Sequence, residues 1–301
     1  MLTETPNPRS AQIDQLSTLE MLQVINDEDA MVAAAVRKTL PTIAQAVDVI
    51  TERLRRGGRL IYVGAGTSGR LGVLDAVECV PTFSVDSETV QGFVAGGYAA
   101  LTEAVEGAED DHDAGRALIA EAGIGERDVV VGIAASGRTP YVIGALEAAN
   151  AVGAATVAVT CNQPAPMLDI AQIPIPAVVG PEIIAGSTRL KSGTAQKMIL
   201  NMLSTASMIR LGKVYGNLMV DVKVTNQKLA ARARGIVERV AGVSAAEAER
   251  LLAQTQQQVK PAIVMALCGV SADEARTRLA AANGMLRLVI GERAVAAGQD
   301  Q

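Results

Sequence analysis

Residues Leu60–Arg70 read LIYVGAGTSGR, an apolar run closed by Gly64, Gly66 and Gly69 in the spacing G-x-G-x-x-G. Such a run is the pattern of a buried strand that turns tightly into a helix. Two kinds of phosphate suit that turn. A dinucleotide lays its pyrophosphate on the helix N-terminus and asks for an acidic residue roughly 20 positions on, at the tip of the next strand. The next strand candidate ends FVAGGY (Phe93–Tyr98) with no acid at its tip, and Asp86 and Glu88 precede it. Thr67, Ser68 and Arg70 add hydroxyls and a cation that a dinucleotide turn does not require.

A second loop of the same kind follows. Val129–Pro140, VVVGIAASGRTP, again runs from strand to small residues to Ser136-Gly137-Arg138, with Thr139 and Pro140 opening a helix. TSGR and ASGR thus fall at the carboxyl ends of two strands, where a parallel sheet has its ligand crevice. Helix N-termini there offer free N–H groups and a positive dipole end to a phosphate dianion. Ser68 and Ser136 also read as ordinary N-caps beside ordinary tight turns. Two alike loops in one sheet favour a compact phosphorylated ligand, with Gly66, Thr67, Ser68, Ser136, Gly137 and Thr139 as its candidate contacts.

Working outward, apolar residues from Val32 to Leu54 recur at helical spacing, which predicts a helix over about 29–56 ended by the paired glycines Gly57 and Gly58. Before it, the proline-rich start TPNPRS bars a helix ahead of Ser10. Further strand runs are VQGFVAG, DVVVGIAA, ATVAVT and IPIPAVVG, with helical stretches near 68–79, 98–122 and 139–152 between several of them. This alternation predicts an α/β fold, a parallel sheet flanked by helices. After Gly186 only helical patterns appear, around 187–214 and 220–241. The last sixty residues hold a weak repeat, GVSAAEAERLL and GVSADEARTRL, each with Ser and Glu at capping-box spacing (Ser244 with Glu247, Ser271 with Glu274). With Pro261 opening another helix, they predict a small C-terminal helical domain. The expected division is 1–240 and 241–301.

With 49% apolar residues the 301-residue chain can build a large core, from aliphatic side chains, since it has no Trp and two Phe. Scarce aromatics and a net charge of −5 argue against a nucleic-acid partner. Cys79, Cys161 and Cys268 show no C-x-x-C spacing, which fits a reducing compartment and neither a disulfide framework nor a zinc site. The polar start MLTETPNPRS lacks the pattern of a signal peptide, and no apolar run reaches the roughly 20 residues of a membrane span. The expectation is a cytoplasmic protein with no membrane partner. With His112 as the one histidine, acid–base work falls to carboxylates.

NPRS, IDQLSTLEML, GAGTSGRLGVLDAVECVPTF, VEGAEDD, GPEIIAGSTRLKSGTAQKMILNM and YGNLMVDV resemble, in order, the N-acetylmuramic acid 6-phosphate etherases. The resemblance runs from about Thr3 to the end of the chain. It implies a sugar isomerase domain and a C-terminal domain shared with the glucokinase regulatory protein. It also implies a lyase reaction, in which N-acetylmuramic acid 6-phosphate and water give N-acetylglucosamine 6-phosphate and D-lactate, with no metal or organic cofactor. The family's catalytic glutamates fall on Glu78 and Glu109, and related domains place a substrate contact at Ser187.

The chemistry explains why two carboxylates are wanted. Ring opening exposes an aldehyde at C1 and acidifies the C2 proton; a base removes it while an acid protonates the lactate oxygen leaving C3. Cys79, Val80 and Pro81 after Glu78 predict an apolar site that would keep its carboxyl protonated. Glu109 also reads as part of a solvated helix start in the acidic run EDDHD, Cys79 as a small buried hydrophobe and His112 as a surface residue. Ser187 reads as either an N-cap or a ligand contact. Lys191 and Lys197 stay open between ligand and partner subunit. A non-catalytic sugar-phosphate regulator and an aldose–ketose isomerase are the alternative functions. The apolar helix AQKMILNMLSTASMIRL predicts a homodimer interface, with the active site near the subunit boundary.

Overall fold

The apolar runs form one sheet in a computed structural model that describes residues 1–291. Its strands are β1 (Leu60–Gly64), β2 (Val90–Val94), β3 (Val129–Ile133), β4 (Ala155–Thr160) and β5 (Ile173–Pro176). All neighbours are parallel, in the order β2-β1-β3-β4-β5. Leu60 and Gly64 of β1 face Val90 and Val94 on one side and Val129 and Ile133 on the other, so these three strands end level. Arg59 fastens their start: its backbone N–H and guanidinium both bond the Asp128 carboxylate, at 2.8 Å for the closest pair.

Residues that alternate along the strands supply two cores, one per sheet face, as a doubly covered parallel sheet requires. On one face Ile61, Val63, Val130 and Ala158 pack with α5 (His112–Glu121), α6 (Pro140–Ala151) and α7 (Pro166–Ile170), through Leu118, Ile119, Val142, Leu146 and Met167. The helices before them are α1 (Thr18–Ala30), α2 (Val32–Arg37), α3 (Leu40–Arg55) and α4 (Gly66–Phe83). Of these, α3 packs on β3 and β5 and buries Ile43, Ala46, Val47 and Ile50.

The stretch 29–56 is not one helix: it holds the end of α1 and then α2 and α3. Pro41, at the start of α3, has no N–H to bond back into a preceding turn, so the chain starts a new helix there. Ser17 opens α1 with a complete capping box, accepting from the Glu20 N–H while the Glu20 carboxylate accepts from the Ser17 N–H. The stretch 98–122 is helical only from His112; Gly96, Gly97 and Gly107, all at positive φ, break what precedes it into short 3-10 turns. The long helix expected from 187 is α8 (Lys191–Arg210).

Contacts divide the chain into two units, Met1–Val77 with Ser87–Thr205, and Glu78–Asp86 with the chain from Ala206 on. The second unit holds α9 (Gln227–Ala241), α10 (Ala245–Gln254), α11 (Val259–Cys268), α12 (Ala272–Ala281) and α13 (Leu286–Ile290) around a core that includes Ile236, Val237, Leu251, Ile263 and Leu279. Its contacts therefore take in α9, which the sequence pattern groups with the sheet. Ser244 and Ser271 accept from the N–H groups of Glu247 and Glu274, whereas those two carboxylates turn to Arg250 and Arg278. Residues 292–301 of the expected C-terminal domain lie outside the described residues.

A buried polar network ties the N-terminal arm to the start of α8. Lys191 Nζ lies 2.6 Å from Glu28 Oε2, both almost wholly buried, and Asn7 Nδ2 donates to the same oxygen at 2.9 Å. Ser10 Oγ donates to the Ile183 carbonyl, and Gly186 N–H to that of Thr3. Desolvation pushes the Glu28 carboxyl up, but hydrogen bonds from Lys191 and Asn7, with the charges of Lys191 and Arg9, outweigh it and hold it below its usual 4.5. Lys191→Met should cost about 3–5 kcal/mol in urea unfolding at pH 7, because it leaves a buried carboxylate without its cation. The folded-state value lies below the unfolded one, so Glu28 contributes fully above about pH 4.5 and its contribution falls as pH drops through the folded value. The stability gap between wild type and Glu28→Gln should accordingly narrow below about pH 4.5, measured by urea midpoints across pH.

Candidate active site

From β1 the chain moves to β2 on one side and then returns to β3 on the other. In this strand order the point between β1 and β3 is the topological switch, where the loops diverge and leave a crevice at the strands' carboxyl ends. TSGR follows β1 and ASGR follows β3, so the two loops flank it.

One residue, Ala65, separates β1 from α4. A Cβ on Gly64 would lie 2.6 Å from the Gly69 nitrogen, and one on Gly69 would lie 2.7 Å from the Gly64 oxygen. Strand end and helix start touch, and only glycine fits either position. Gly66 has open space around it but φ of +53°, so its requirement is conformational. The first turn of α4 thereby brings Thr67, Ser68 and N–H groups without intrahelical acceptors to the crevice. Ser68 is buried and its Oγ donates to Gln196 Oε1 at 2.9 Å. Arg70 serves elsewhere, donating to the carbonyls of Ala100 and Glu103.

In the second loop Gly137 has φ of +66°, and a Cβ there would fall 2.5 Å from that of Ala165. Ser136 Oγ accepts from the Arg138 N–H at 3.2 Å. Thr139 holds the N-cap position of α6, with Pro140 next, yet its hydroxyl makes no capping bond. The N-cap reading therefore fails for Ser68, which lies inside α4, and for Ser136, since the N-cap position of α6 belongs to Thr139.

Ser187 is no N-cap either. It lies in the turn before α8, and Glu182 covers that helix start, accepting from the N–H groups of Lys191 and Ser192 and from Ser192 Oγ. Lys191 is committed to Glu28 and not to a ligand. Lys197 is exposed; with the Asn201 amide in its reversed orientation, Lys197 donates to Asn201, which donates to Asp75.

The apolar environment expected for Glu78 is not found: Cys79 is buried, but Glu78 faces solvent, because successive helical residues point about 100° apart. The desolvated carboxyl on α4 is Asp75, which burial pushes up despite hydrogen bonds from Tyr62 and Ser204. Glu109 is exposed in the 3-10 turn Ala108–Asp110, which packs against α6. The helix start proper belongs to Asp111, whose side chain accepts from the Ala114 N–H, and His112 pairs with Glu147 on α6. Exposed Leu74 and Val77 share a face of α4 with Glu78. The apolar face of α8 expected at a dimer interface is spent inside its own chain: Ile199, Leu200, Leu203 and Met208 are buried.

Gln196 and Asp75 escaped the sequence reading. Ser68 and Gln196 stand 128 positions apart, a separation at which no spacing rule operates. In the second unit a cleft of about 490 Å³ is lined by Lys213, Asp221, Lys260 and Arg276, with both lysines on the one Asp221 carboxylate. None of the expected site residues lines it.

A doubly wound parallel sheet with two Ser-Gly phosphate-type loops at its switch point defines a SIS-domain protein, and residues 104–206 match the SIS domain family. Residues 42–150 match the N-terminal SIS domain of glucokinase regulatory protein, and residues 216–262 its C-terminal lid domain. Among solved structures, phosphoheptose isomerases from Francisella tularensis (TM-score 0.50, 17% identity, 64% of this chain and 100% of that one) and Neisseria gonorrhoeae (0.50, 17%, 64% and 98%) share the fold. At the level of sequence, N-acetylmuramic acid 6-phosphate etherases of Aeromonas hydrophila (57% identity, 95% of this chain and 96% of the relative) and Vibrio vulnificus (54%, 97% and 98%) align over nearly the whole length. The chain belongs to the N-acetylmuramic acid 6-phosphate etherase family.

Because Thr139 caps no helix N–H, Thr139→Ala should leave the urea midpoint unchanged. Asp111→Ala removes a formed cap and should cost about 0.5–2 kcal/mol. Equal losses in the two variants would make Thr139 a structural cap after all.

Proposed function

We propose that this protein cleaves the lactyl ether of N-acetylmuramic acid 6-phosphate, giving N-acetylglucosamine 6-phosphate and D-lactate as a carbon–oxygen lyase of the cytoplasm. The observation that carries the reading is the pair of loops TSGR and ASGR at the switch point, in a chain 57% identical to named etherases. The phosphate would lie against the first turns of α4 and α6, held by Gly66, Thr67, Ser68, Ser136, Gly137 and Thr139, with Ser187 as a further contact. In the open-chain sugar the C1 aldehyde acidifies the C2 proton. Glu109 takes that proton and Glu78 gives one to the lactate oxygen as the C3–O bond breaks. Water then adds across the conjugated C2=C3 bond, its oxygen to C3 and a proton to C2, which completes the balance.

Exposed Glu78 lies beside Leu74 and Val77, 51% and 62% exposed, on one helix face. A second copy of the chain covering that face would bury the apolar pair and desolvate the carboxyl, raising its affinity for a proton. This supports a homodimer whose active site is completed at the subunit boundary. A monomer with full activity at micromolar concentration would remove it.

Incubation with N-acetylmuramic acid 6-phosphate should release D-lactate stoichiometrically with N-acetylglucosamine 6-phosphate; a ketose product or no reaction would favour the isomerase or the regulator. Glu78→Gln should lower lactate release about 10²–10⁴-fold while C2–H exchange with deuterated solvent persists. Glu109→Gln should lose both. The opposite pattern of exchange would reverse the two roles. Ser136→Ala and Thr139→Ala should weaken substrate binding by about 1.5–3 kcal/mol each, the worth of a hydrogen bond to a charged group. Unphosphorylated N-acetylmuramic acid should show no such loss.

A further inference from the structure

Gln196 is 1% exposed, sits on α8 behind the TSGR loop, and holds Ser68 through its Oε1 at 2.9 Å. The helix lies close there: a Cβ at Gly193, one turn earlier, would stand 3.5 Å from Thr67 Cγ2. Gln196 Nε2 is buried and has no hydrogen-bond partner among the described residues. A buried amide N–H left unpaired is rare and calls for a physical reason, whereas an under-satisfied carbonyl is better tolerated.

The arrangement also conflicts with the task assigned to Ser68. A serine hydroxyl has one proton, and here it points at the Gln196 carbonyl. A phosphate dianion only accepts, so Ser68 cannot serve it while that bond stands. Exchanging the oxygen and nitrogen of the Gln196 amide, a half-turn that leaves the outline of the side chain unchanged, resolves both difficulties. Nε2 then makes the 2.9 Å contact as donor to Ser68 Oγ. The Ser68 proton is released toward the crevice, and the unsatisfied group becomes a carbonyl. The two amide orientations have the same shape and differ in hydrogen bonding alone.

We propose that Gln196 is a positioning residue for the phosphate site, whose amide reverses on anion binding and so turns the Ser68 hydroxyl from a donor to the protein into a donor to the ligand. The proposal rests on the reading that the TSGR loop holds the phosphate. Gln196 does not touch the ligand; it decides where the proton of Ser68 goes. Glutamine suits this use because it alone among side chains of its length offers a donor and an acceptor on one rotatable plane.

The test measures binding of inorganic phosphate and of N-acetylglucosamine 6-phosphate by calorimetry, with thermal unfolding as the control on folding. Ser68→Ala should weaken both ligands about 10–100-fold, the equivalent of one charge-assisted hydrogen bond. Gln196→Glu, an acceptor that keeps the Ser68 proton on the protein, should lose a similar factor, and should raise KM far more than it lowers kcat. Added to Ser68→Ala it should cause little further loss, since both act on the same proton. Gln196→Met, which neither donates nor accepts strongly, should lose less than Gln196→Glu. In the wild type, phosphate should shift the Gln196 side-chain amide resonances and slow their exchange with solvent, a readout that needs no variant to fold. Unchanged resonances at saturating phosphate, or full additivity of Gln196→Glu with Ser68→Ala, would overturn the proposal. If Ser68→Ala bound both ligands as the wild type does, the phosphate reading of the loop would fall, and this inference with it. If Ser68→Ala weakened binding but Gln196→Glu did not, the inference alone would fall.

Discussion

The approach of Gly64 to Gly69, too close for a Cβ on either, sets the geometry of the site. It lets β1 pass into α4 through one residue, so that the helix starts level with the end of the sheet. A longer connection would lift the first turn of α4 away from the strand ends and leave its N–H groups in solvent. Because β1 and β3 end in register, the loop after β3 meets the same crevice from the other side. Two helix N-termini converge there, and the partial positive charge of each favours the same kind of ligand.

That crevice has a buried electrostatic frame behind it. Glu182 takes three hydrogen bonds from the start of α8, and Lys191 of that same turn reaches Glu28 in the N-terminal arm. All three charges are buried; Lys191 and Glu28 pair with each other, and Glu182 is satisfied by its three hydrogen bonds, the conditions under which burial is tolerated. The pairing fixes α8 along its axis, and α8 carries Gln196 to Ser68. The polar residues of the arm thus belong to the construction of the site.

The two glutamates present the opposite case. Glu78 and Glu109 are both exposed, while the carboxyl that burial pushes up is Asp75, three residues before Glu78. An acid that must hold its proton near neutral pH needs a drier environment than solvent gives. Under the proposed function, that dryness comes from substrate and from a second copy laid on Leu74 and Val77. Such a division leaves the phosphate site formed in one chain and completes the acid only in the assembly.

Local features were legible in the sequence because their causes are local. Five apolar runs gave five parallel strands, the glycine spacing gave the turn into α4, and Ser244 and Ser271 mark helix starts by a hydroxyl three residues from its N–H partner. Pro41 and the glycines at 96, 97 and 107 ended helices that apolar periodicity alone would have continued; their breaking power is also local, and was there to be read. The role of a polar side chain was not. Lys191 could face a ligand or a partner subunit until the fold set Glu28 beside it, and nothing near Gln196 in the chain announces Ser68. The same limit applies to Glu78, whose apolar sequence neighbours point to other sides of the helix. Sequence by itself determined the elements, their order and the two phosphate-type loops, since backbone sterics and periodicity act over a few residues. Which polar groups are buried, and which partner each then has, only the tertiary structure decided, because desolvation depends on everything that packs around a group and not on what precedes it in the chain.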